Sequence, residues 1–112
     1  MIAVRESGIA GRGVFAERDI YPGTVVEHCP LLLMDKDDVG WADHHVVKFS
    51  NKKSGFPCGK SVFLNHSKEP NVRFELLPGK QVHTIAIRKI KKGDELLLDY
   101  GPNPEYWGIH ES

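Results

Sequence analysis

Short apolar segments separated by turn residues are the feature that most restricts how this chain can fold. Its 112 residues include 11 glycines and 7 prolines, spread over the whole length. Apolar runs bounded by such residues predict four strands: 13–17 (GVFAE), 24–29 (TVVEHC), 82–87 (VHTIAI) and 95–100 (ELLLDY). The pattern predicts a mostly β domain with one or two short helices.

One region has the periodicity of a helix. Asp37 or Asp38 is suited to the N-cap position of a short helix. Residues at four-residue steps would then share one face: Trp41, His45 and Phe49. The apolar run that precedes them, 30–34 (PLLLM), is too short to assign to a helix.

An Arg-x-Ile-x-x-Gly element occurs twice, at 18–23 and at 88–93, and each copy precedes an apolar segment. In the first copy Pro22 fixes φ and Gly23 can adopt a positive φ, which is the combination that a type II turn requires. Each copy is expected to bury its isoleucine and to reverse the chain at its glycine. The two ends of the chain are therefore expected to supply similar pieces to one sheet system.

The length and composition fit a single globular domain over residues 1–112. Hydrophobic residues make up 40% of the chain and charged residues 27%, which is enough for a packed core. Fifteen basic residues balance 15 acidic ones. A net charge of zero argues against a general nucleic-acid binder, which normally has a basic excess.

The cysteines and the hydropathy limit the cellular setting. Cys29 and Cys58 are the only two cysteines, and they lack the CxxC spacing of a structural zinc site or the number needed for a disulfide framework. No segment approaches the about 20 apolar residues that span a bilayer. The N-terminus lacks the apolar core of a signal peptide. We therefore expect a soluble intracellular protein without a metal site.

Three segments that lie far apart in the sequence have residues suited to chemistry: 11–16 (GRGVFA), 63–71 (FLNHSKEPN) and 93–101 (GDELLLDYG). The glycines beside Arg12 let a backbone approach a ligand, but they fit a plain hairpin turn equally well. Asn65 and His66 offer several donors and acceptors, although such a string is also typical of a turn. Tyr100 ends an apolar strand, where a lone tyrosine is usually a core residue.

In this order the three segments resemble the motifs of SET-domain lysine methyltransferases, and the resemblance covers residues 8–107. It is closest to the very small, free-standing SET proteins of a large-DNA virus and of some bacteria, which also carry NHSK. The resemblance implies a compact β-clip fold of several small sheets. It also implies a pseudoknot-like threading that joins the middle and C-terminal motifs.

The resemblance further implies a site for S-adenosyl-L-methionine, with contacts from Gly11, Arg12, Gly13, Asn65, His66, Tyr100, Tyr106 and Trp107. The glycine motif would contact the methionine part, the Asn-His pair would bind the amino end and the adenine, and the last two aromatic residues would cover the adenine. Tyr100 would be the catalytic tyrosine. A substrate channel would be lined by Val47, Phe49 and Leu98, without the second tyrosine that many relatives carry there.

The implied reaction is methyl transfer to the ε-amine of a lysine in a protein substrate. A histone tail is suggested by the acidic residues Asp35, Asp37, Asp38 and Asp43, which would favour a basic segment. Because little sequence flanks the motifs, a homodimer could complete the substrate groove. The alternative is a catalytically weak or inactive SET-like module that binds peptides.

Two other classes of site fit the residues less well. A cysteine hydrolase would pair Cys58 with His66, but nothing around Cys58 suggests a nucleophile at a helix N-terminus. A metal site at His44 and His45 is also disfavoured, because adjacent residues of a helix point about 100° apart.

Overall fold

The computed structural model describes residues 1–9, 11–35, 47–48 and 53–99. In these ranges the chain forms nine strands: β1 (Ile2–Glu6), β2 (Arg12–Ala16), β3 (Val25–Asp35), β4 (Val47–Lys48), β5 (Lys53–Pro57), β6 (Asn65–His66), β7 (Val72–Leu77), β8 (Gln81–Ala86) and β9 (Glu95–Leu98). A 3₁₀ turn, Lys60–Phe63, is the helical element of this part of the chain. No helix among the described residues is long and apolar enough to cross a membrane. The prediction of a mostly β domain is confirmed.

The strands form two small sheets within the described ranges. One has the order β1-β2-β9-β6 and the other has the order β4-β5-β3-β8-β7. Neighbouring strands run antiparallel, except that β6 and β9 run parallel. Because β9 lies between β2 and β6, the first sheet makes neighbours of the three motifs that the sequence separates.

Both turns of the repeated element form as the sequence predicts. Gly23 has a φ of 87° and Gly93 has a φ of 92°, so both occupy the region that glycine adopts most readily. The N–H of Thr24 donates to the carbonyl of Tyr21 at 3.1 Å, which closes the first turn. In the second turn, the corresponding bond joins the N–H of Asp94 and the carbonyl of Lys91 at 2.9 Å.

Strand β3 is longer than predicted because the apolar run at 30–34 continues it. Leu31 is buried with 7% of its surface exposed, whereas Leu32 is 58% exposed. This alternation is the period of a strand with one buried face. Leu31 is paired with Pro57 of β5, so the extension depends on a partner that is distant in sequence.

The helix predicted to carry Trp41, His45 and Phe49 on one face does not include residues 47 and 48. Val47 and Lys48 form β4, which pairs with β5. The remainder of the prediction, which rests on residues 37–45 and 49, lies outside the described residues. Pairing with a neighbouring strand overrides local helical periodicity at this position.

One apolar core joins the two sheets. Its buried members are Ile2, Val14, Ala16, Ile20, Val26, Cys29, Leu31, Leu64, Val72, Phe74, Val82, Ala86, Ile90, Leu96 and Leu98. In β9 the burial alternates, because Leu96 and Leu98 are fully buried while Glu95 and Leu97 are half-buried. Full burial of each leucine stabilises the fold by roughly 1.5–3 kcal/mol. Strand β9 is thereby anchored in the core, with Glu95 on its other face.

The 3₁₀ turn just before the Asn-His motif is held by a carboxylate from β3. Glu27 accepts hydrogen bonds from the N–H groups of Lys60 at 2.9 Å and Ser61 at 2.8 Å. A Cβ atom at Gly59 would lie 2.9 Å from this carboxylate, so glycine leaves the space that it occupies. Glu27 therefore acts as the cap that the turn's own residues lack, and it fixes where the chain enters β6.

Candidate functional site

The three predicted motifs meet at the side chain of Asn65. Its Nδ2 atom donates to the backbone carbonyl of Arg12 at 3.0 Å and to Oε2 of Glu95 at 2.8 Å. Asn65 lies on β6, Arg12 begins β2 and Glu95 begins β9. One amide group thus joins the glycine motif to the C-terminal motif, across 53 and 30 residues of sequence respectively.

The two glycines of the first motif have different physical roles. Gly11 has a φ of 49°, and a Cβ atom there would meet nothing within 4 Å, so it serves the turn. Gly13 is buried, and a Cβ atom there would lie 2.3 Å from Oε2 of Glu95 and 3.1 Å from Nδ2 of Asn65. The sequence predicted that another group would lie close to the backbone of this motif. Among the described residues, the Glu95 and Asn65 side chains lie there.

Glu95 is the acceptor at the centre of this arrangement. In addition to the bond from Asn65, its carboxylate accepts from the hydroxyl of Ser7, whose Oγ lies 2.8 and 3.0 Å from the two carboxylate oxygens. Ser7 is 88 residues away in sequence. The N–H of Ser7 in turn donates to the carbonyl of Gly11 at 2.8 Å. These bonds tie the residues around the glycine motif to the start of β9.

Asn71, the second asparagine of the middle motif, clamps that motif to β9. Its Nδ2 donates to the carbonyl of Glu95 at 2.9 Å, and its Oδ1 accepts from the N–H of Leu97 at 2.7 Å. Its own N–H donates to the carbonyl of Leu97 at 3.0 Å. Asn71 is buried, with 7% of its surface exposed. Its amide therefore makes the hydrogen bonds to the backbone of β9 that a neighbouring strand would otherwise make.

His66 lies beside the end of β9. It is paired with Leu98 in the parallel ladder, and its Nδ1 lies 3.8 Å from Oδ1 of Asp99. Both side chains are partly exposed, at 46% and 34%, so this contact contributes little to stability. The contact matters because it places His66 beside Asp99, the residue directly before the predicted catalytic Tyr100.

The described structure brings five of the predicted site residues into one region: Gly11, Arg12, Gly13, Asn65 and His66. Leu98, predicted to line the substrate channel, is fully buried in the core, and Val47 lies on β4 of the other sheet. Their roles in a channel stay predictions. The other predicted residues, Phe49, Tyr100, Tyr106 and Trp107, lie outside the described residues, as do His44 and His45.

Sequence reasoning missed Ser7 and Glu95 as members of this site. A sequence signal existed for Glu95, since a carboxylate that opens an apolar strand is half-buried and needs hydrogen-bond donors. Which donors it finds depends on two other strands. Ser7 carried no local signal, because it follows β1 as an ordinary loop residue.

The cysteines do not form a hydrolase site in the described residues. Burial, together with Glu27 and Cys58, raises the pKa of the Cys29 thiol to about 11, so this thiol stays protonated at neutral pH. Cys58 is exposed and follows β5, and its thiol donates to the carbonyl of Phe56 in that strand at 3.5 Å. Within the described ranges no group of three His, Cys, Asp or Glu residues is arranged to hold a metal ion.

Comparison with known proteins agrees with this arrangement of motifs. The family model described as the SET domain matches residues 11–101. A histone-lysine N-methyltransferase of Schizosaccharomyces pombe, specific for H3 lysine 37, is 28% identical over 107 residues. That alignment covers 89% of this chain and 73% of the yeast protein. Human histone-lysine N-methyltransferase 2B is 29% identical over 114 residues, covering 88% of this chain but only 4% of the human protein.

Solved structures show the same fold. A Plasmodium falciparum protein designated a candidate histone methyltransferase superimposes with a TM-score of 0.76 at 24% identity, covering 92% of this chain and 99% of that one. A Polycomb Repressive Complex 2 from Chaetomium thermophilum, in a humanized form with an inhibitor, gives a TM-score of 0.75 at 22% identity. It covers 94% of this chain and 16% of the other. The match over residues 11–101 and the meeting of the three motifs establish that the chain belongs to the SET-domain family of protein-lysine methyltransferases.

Proposed function

We propose that this chain transfers a methyl group from S-adenosyl-L-methionine to the ε-amine of a lysine in a protein substrate, with a histone as the first candidate. The junction of Gly13, Asn65 and Glu95 is the observation that carries the proposal, because it assembles the motifs that the family uses. Histone-lysine methyltransferases among the relatives support the substrate class. Such a substrate implies a soluble intracellular protein.

The residues at the junction fit the methionine end of this cofactor. That end carries an ammonium group, a carboxylate and the sulfonium. The ammonium group donates hydrogen bonds, so it requires acceptors. The junction supplies such acceptors in the Asn65 amide oxygen and the backbone carbonyls of the glycine motif, and Asn65 is held by Glu95 and the Arg12 carbonyl. In the proposed site Gly11, Arg12 and Gly13 hold the methionine part.

The remaining contacts of the cofactor are assigned by family resemblance. Asn65 and His66 bind the amino end and the adenine, and Tyr106 and Trp107 cover the adenine. Bound in this way, the cofactor supplies an electrophilic methyl group on a sulfonium.

The chain's part in the reaction is to present a neutral amine in line with that methyl group. A free lysine has a pKa of about 10.4 and is charged at neutral pH. A narrow channel that excludes water, beside a positive charge, lowers the pKa of the bound lysine. In our proposal Val47, Phe49 and Leu98 contribute to this channel, and the Tyr100 hydroxyl orients the lone pair of the amine. A second copy of the chain could complete the substrate groove.

Calorimetric titration with S-adenosyl-L-methionine and with its demethylated product tests the cofactor site. We expect saturable binding of both, weakened by at least about tenfold in Asn65→Ala, a change of about 1.4 kcal/mol. Gln81→Ala removes an amide side chain on β8, in the other sheet, and serves as the matched control. No binding of either ligand, with or without histone peptides, would contradict the proposal.

A second assay separates catalysis from binding. Transfer of labelled methyl groups to histones, followed by identification of the modified lysine, is the expected result for the enzyme. Cofactor or peptide binding without any transfer would favour the alternative, a SET-like module that binds peptides. The assay needs mixed histones as well as single peptides, because the target lysine is not specified by the sequence.

A further inference from the structure

The Glu95 side chain is half-buried, and its partners come from two distant parts of the chain. It accepts hydrogen bonds from Asn65 and Ser7, at 2.8 and 2.8–3.0 Å, and a Cβ atom at Gly13 would collide with it. Among the described residues no lysine or arginine forms an ion pair with it. Partial burial of a carboxylate without a cation has a cost, which the hydrogen bonds from Asn65 and Ser7 offset.

The partners of Asn65 determine which way its amide group faces. The Nδ2 group has two hydrogens, and among the described residues it donates to the Arg12 carbonyl and the Glu95 carboxylate. A flipped amide would place its oxygen against both of these acceptors, which is repulsive. Glu95 and the Arg12 carbonyl therefore select the orientation in which Oδ1 faces away from them.

We infer that Glu95 is a positioning residue, which directs the Asn65 amide oxygen toward the cofactor's ammonium group and holds the glycine motif beside it. The inference rests on the proposed function, and it deepens that function by adding a residue to the same site. Glu95 acts through Asn65 and, by way of Ser7, through the backbone at Gly11. It is required as a hydrogen-bond acceptor at a fixed place, and its negative charge is secondary.

Three substitutions separate acceptor position from charge. Glu95→Gln keeps the chain length, and its amide can accept from Asn65 while donating to the Ser7 hydroxyl, so we expect cofactor affinity within about threefold of wild type. Glu95→Asp keeps a carboxylate, but on a side chain that is one methylene shorter and cannot reach the same position. We expect cofactor affinity to fall by about tenfold or more. Glu95→Leu, which removes the acceptor, should lower cofactor affinity by at least as much. Glu75→Leu, on β7 of the other sheet, is the matched control.

A double-mutant cycle shows whether Glu95 acts through Asn65. In an Asn65→Ala background, Glu95→Leu should weaken the binding of S-adenosyl-L-methionine by less than about twofold further. Methylthioadenosine, which lacks the amino-acid part of the cofactor, should bind all variants within about threefold. A residue that only stabilises the fold would instead weaken both ligands and act additively. Thermal unfolding of each variant without ligand measures that structural part directly.

The outcomes distinguish this inference from the proposed function. If wild type binds the cofactor and Asn65→Ala loses it, but Glu95→Asp binds better than Glu95→Gln, then charge matters and the positioning role is wrong. If Glu95→Leu does not fold, the order of the Gln and Asp variants still decides the question. If wild type binds no cofactor under any condition, the proposed function fails, and the positioning role fails with it.

Discussion

Ile20 and Ile90 form an isolated antiparallel bridge in which the N–H of each donates to the carbonyl of the other, both at 2.8 Å. The two residues occupy equivalent places in the repeated Arg-x-Ile-x-x-Gly element. Both are buried, with 2% and 0% of their surfaces exposed. The bridge therefore lies where the two copies of the element cross.

The hydrogen bonds on either side of this bridge also come in pairs that join equivalent residues of the two elements. The N–H of Gly23 donates to the carbonyl of Ala86, and the N–H of Gly93 donates to the carbonyl of Ala16, both at 2.8 Å. Two further bonds, both at 2.9 Å, join Ala16 N–H to the Asp94 carbonyl and Ala86 N–H to the Thr24 carbonyl. The two elements are thus related by an approximate two-fold axis, which confirms that both ends of the chain supply similar pieces to the sheets.

Truncation of Ile90 should destabilise the protein strongly, because its side chain fills the centre of this crossing. We expect Ile90→Ala to lower the free energy of unfolding by about 2–5 kcal/mol, measured by denaturant titration. Ile9→Ala is the matched control, since Ile9 is 59% exposed and should change stability by less than about 0.5 kcal/mol. Equal small effects of both substitutions would mean that the crossing is not a tightly packed part of the core.

Gly13→Ala should damage the cofactor site and the fold together. The added Cβ would lie 2.3 Å from Oε2 of Glu95, and the backbone there cannot move without disturbing the β2–β9 pairing. We expect a lower melting temperature and at least about tenfold weaker cofactor binding. Gly8→Ala provides the control, because a Cβ at Gly8 meets nothing within 4 Å. A Gly13→Ala variant that bound the cofactor normally would remove this junction from the proposed site.

The sequence predicted those parts of the fold that depend on local chemistry. The turns at Gly23 and Gly93 follow from glycine's access to positive φ, and β2 and β8 follow from short apolar runs. The continuation of β3 past Pro30 could not be predicted in the same way, since it depends on pairing with β5. Short strands are stabilised by their neighbours, and a local pattern does not identify those neighbours.

In the candidate site, too, the features that depend on local sequence could be predicted and those that depend on distant partners could not. Asn65 could be selected from the sequence because the apolar residues Phe63 and Leu64 run directly into a polar pair, and because the motif resembles that of a family. The role of Glu95 could not, because it depends on Ser7 and Asn65 reaching one carboxylate from two other parts of the chain. Hydrogen bonds between side chains that are distant in sequence leave no periodic signal.

The raised pKa of Cys29 predicts a loss of stability at high pH. The pKa of the thiol is about 11 in the folded protein, whereas in the unfolded chain the thiol ionises near its ordinary pKa of 9.0. Because the unfolded state loses this proton first, the stabilising contribution is fully present below pH 9 and declines as the pH rises toward 11. Cys29→Ala should show a shallower decline than wild type across this range, in denaturant titrations at several pH values. Parallel declines would exclude Cys29 as a cause.

The thiols also offer a direct check of burial. At pH 8 a thiol-specific reagent should modify Cys58, which is exposed, and should leave Cys29 unmodified until the protein is unfolded. Cys58→Ser should therefore abolish labelling of the native protein. Rapid native labelling of that variant would show that the core around Cys29 opens readily.

Tyr100→Phe tests the catalytic assignment that follows from the family resemblance. Loss of the hydroxyl should leave cofactor affinity within about twofold, since the proposed contacts at Asn65 and the glycine motif are unchanged. It should lower the rate of methyl transfer by at least about tenfold, which corresponds to about 1.4 kcal/mol in the barrier. Tyr21→Phe removes a hydroxyl from an exposed turn residue and should change neither quantity, which makes it the matched control. A Tyr100→Phe variant with normal turnover would assign the orientation of the lysine amine to another group, whereas a loss confined to cofactor binding would restrict Tyr100 to its predicted cofactor contact.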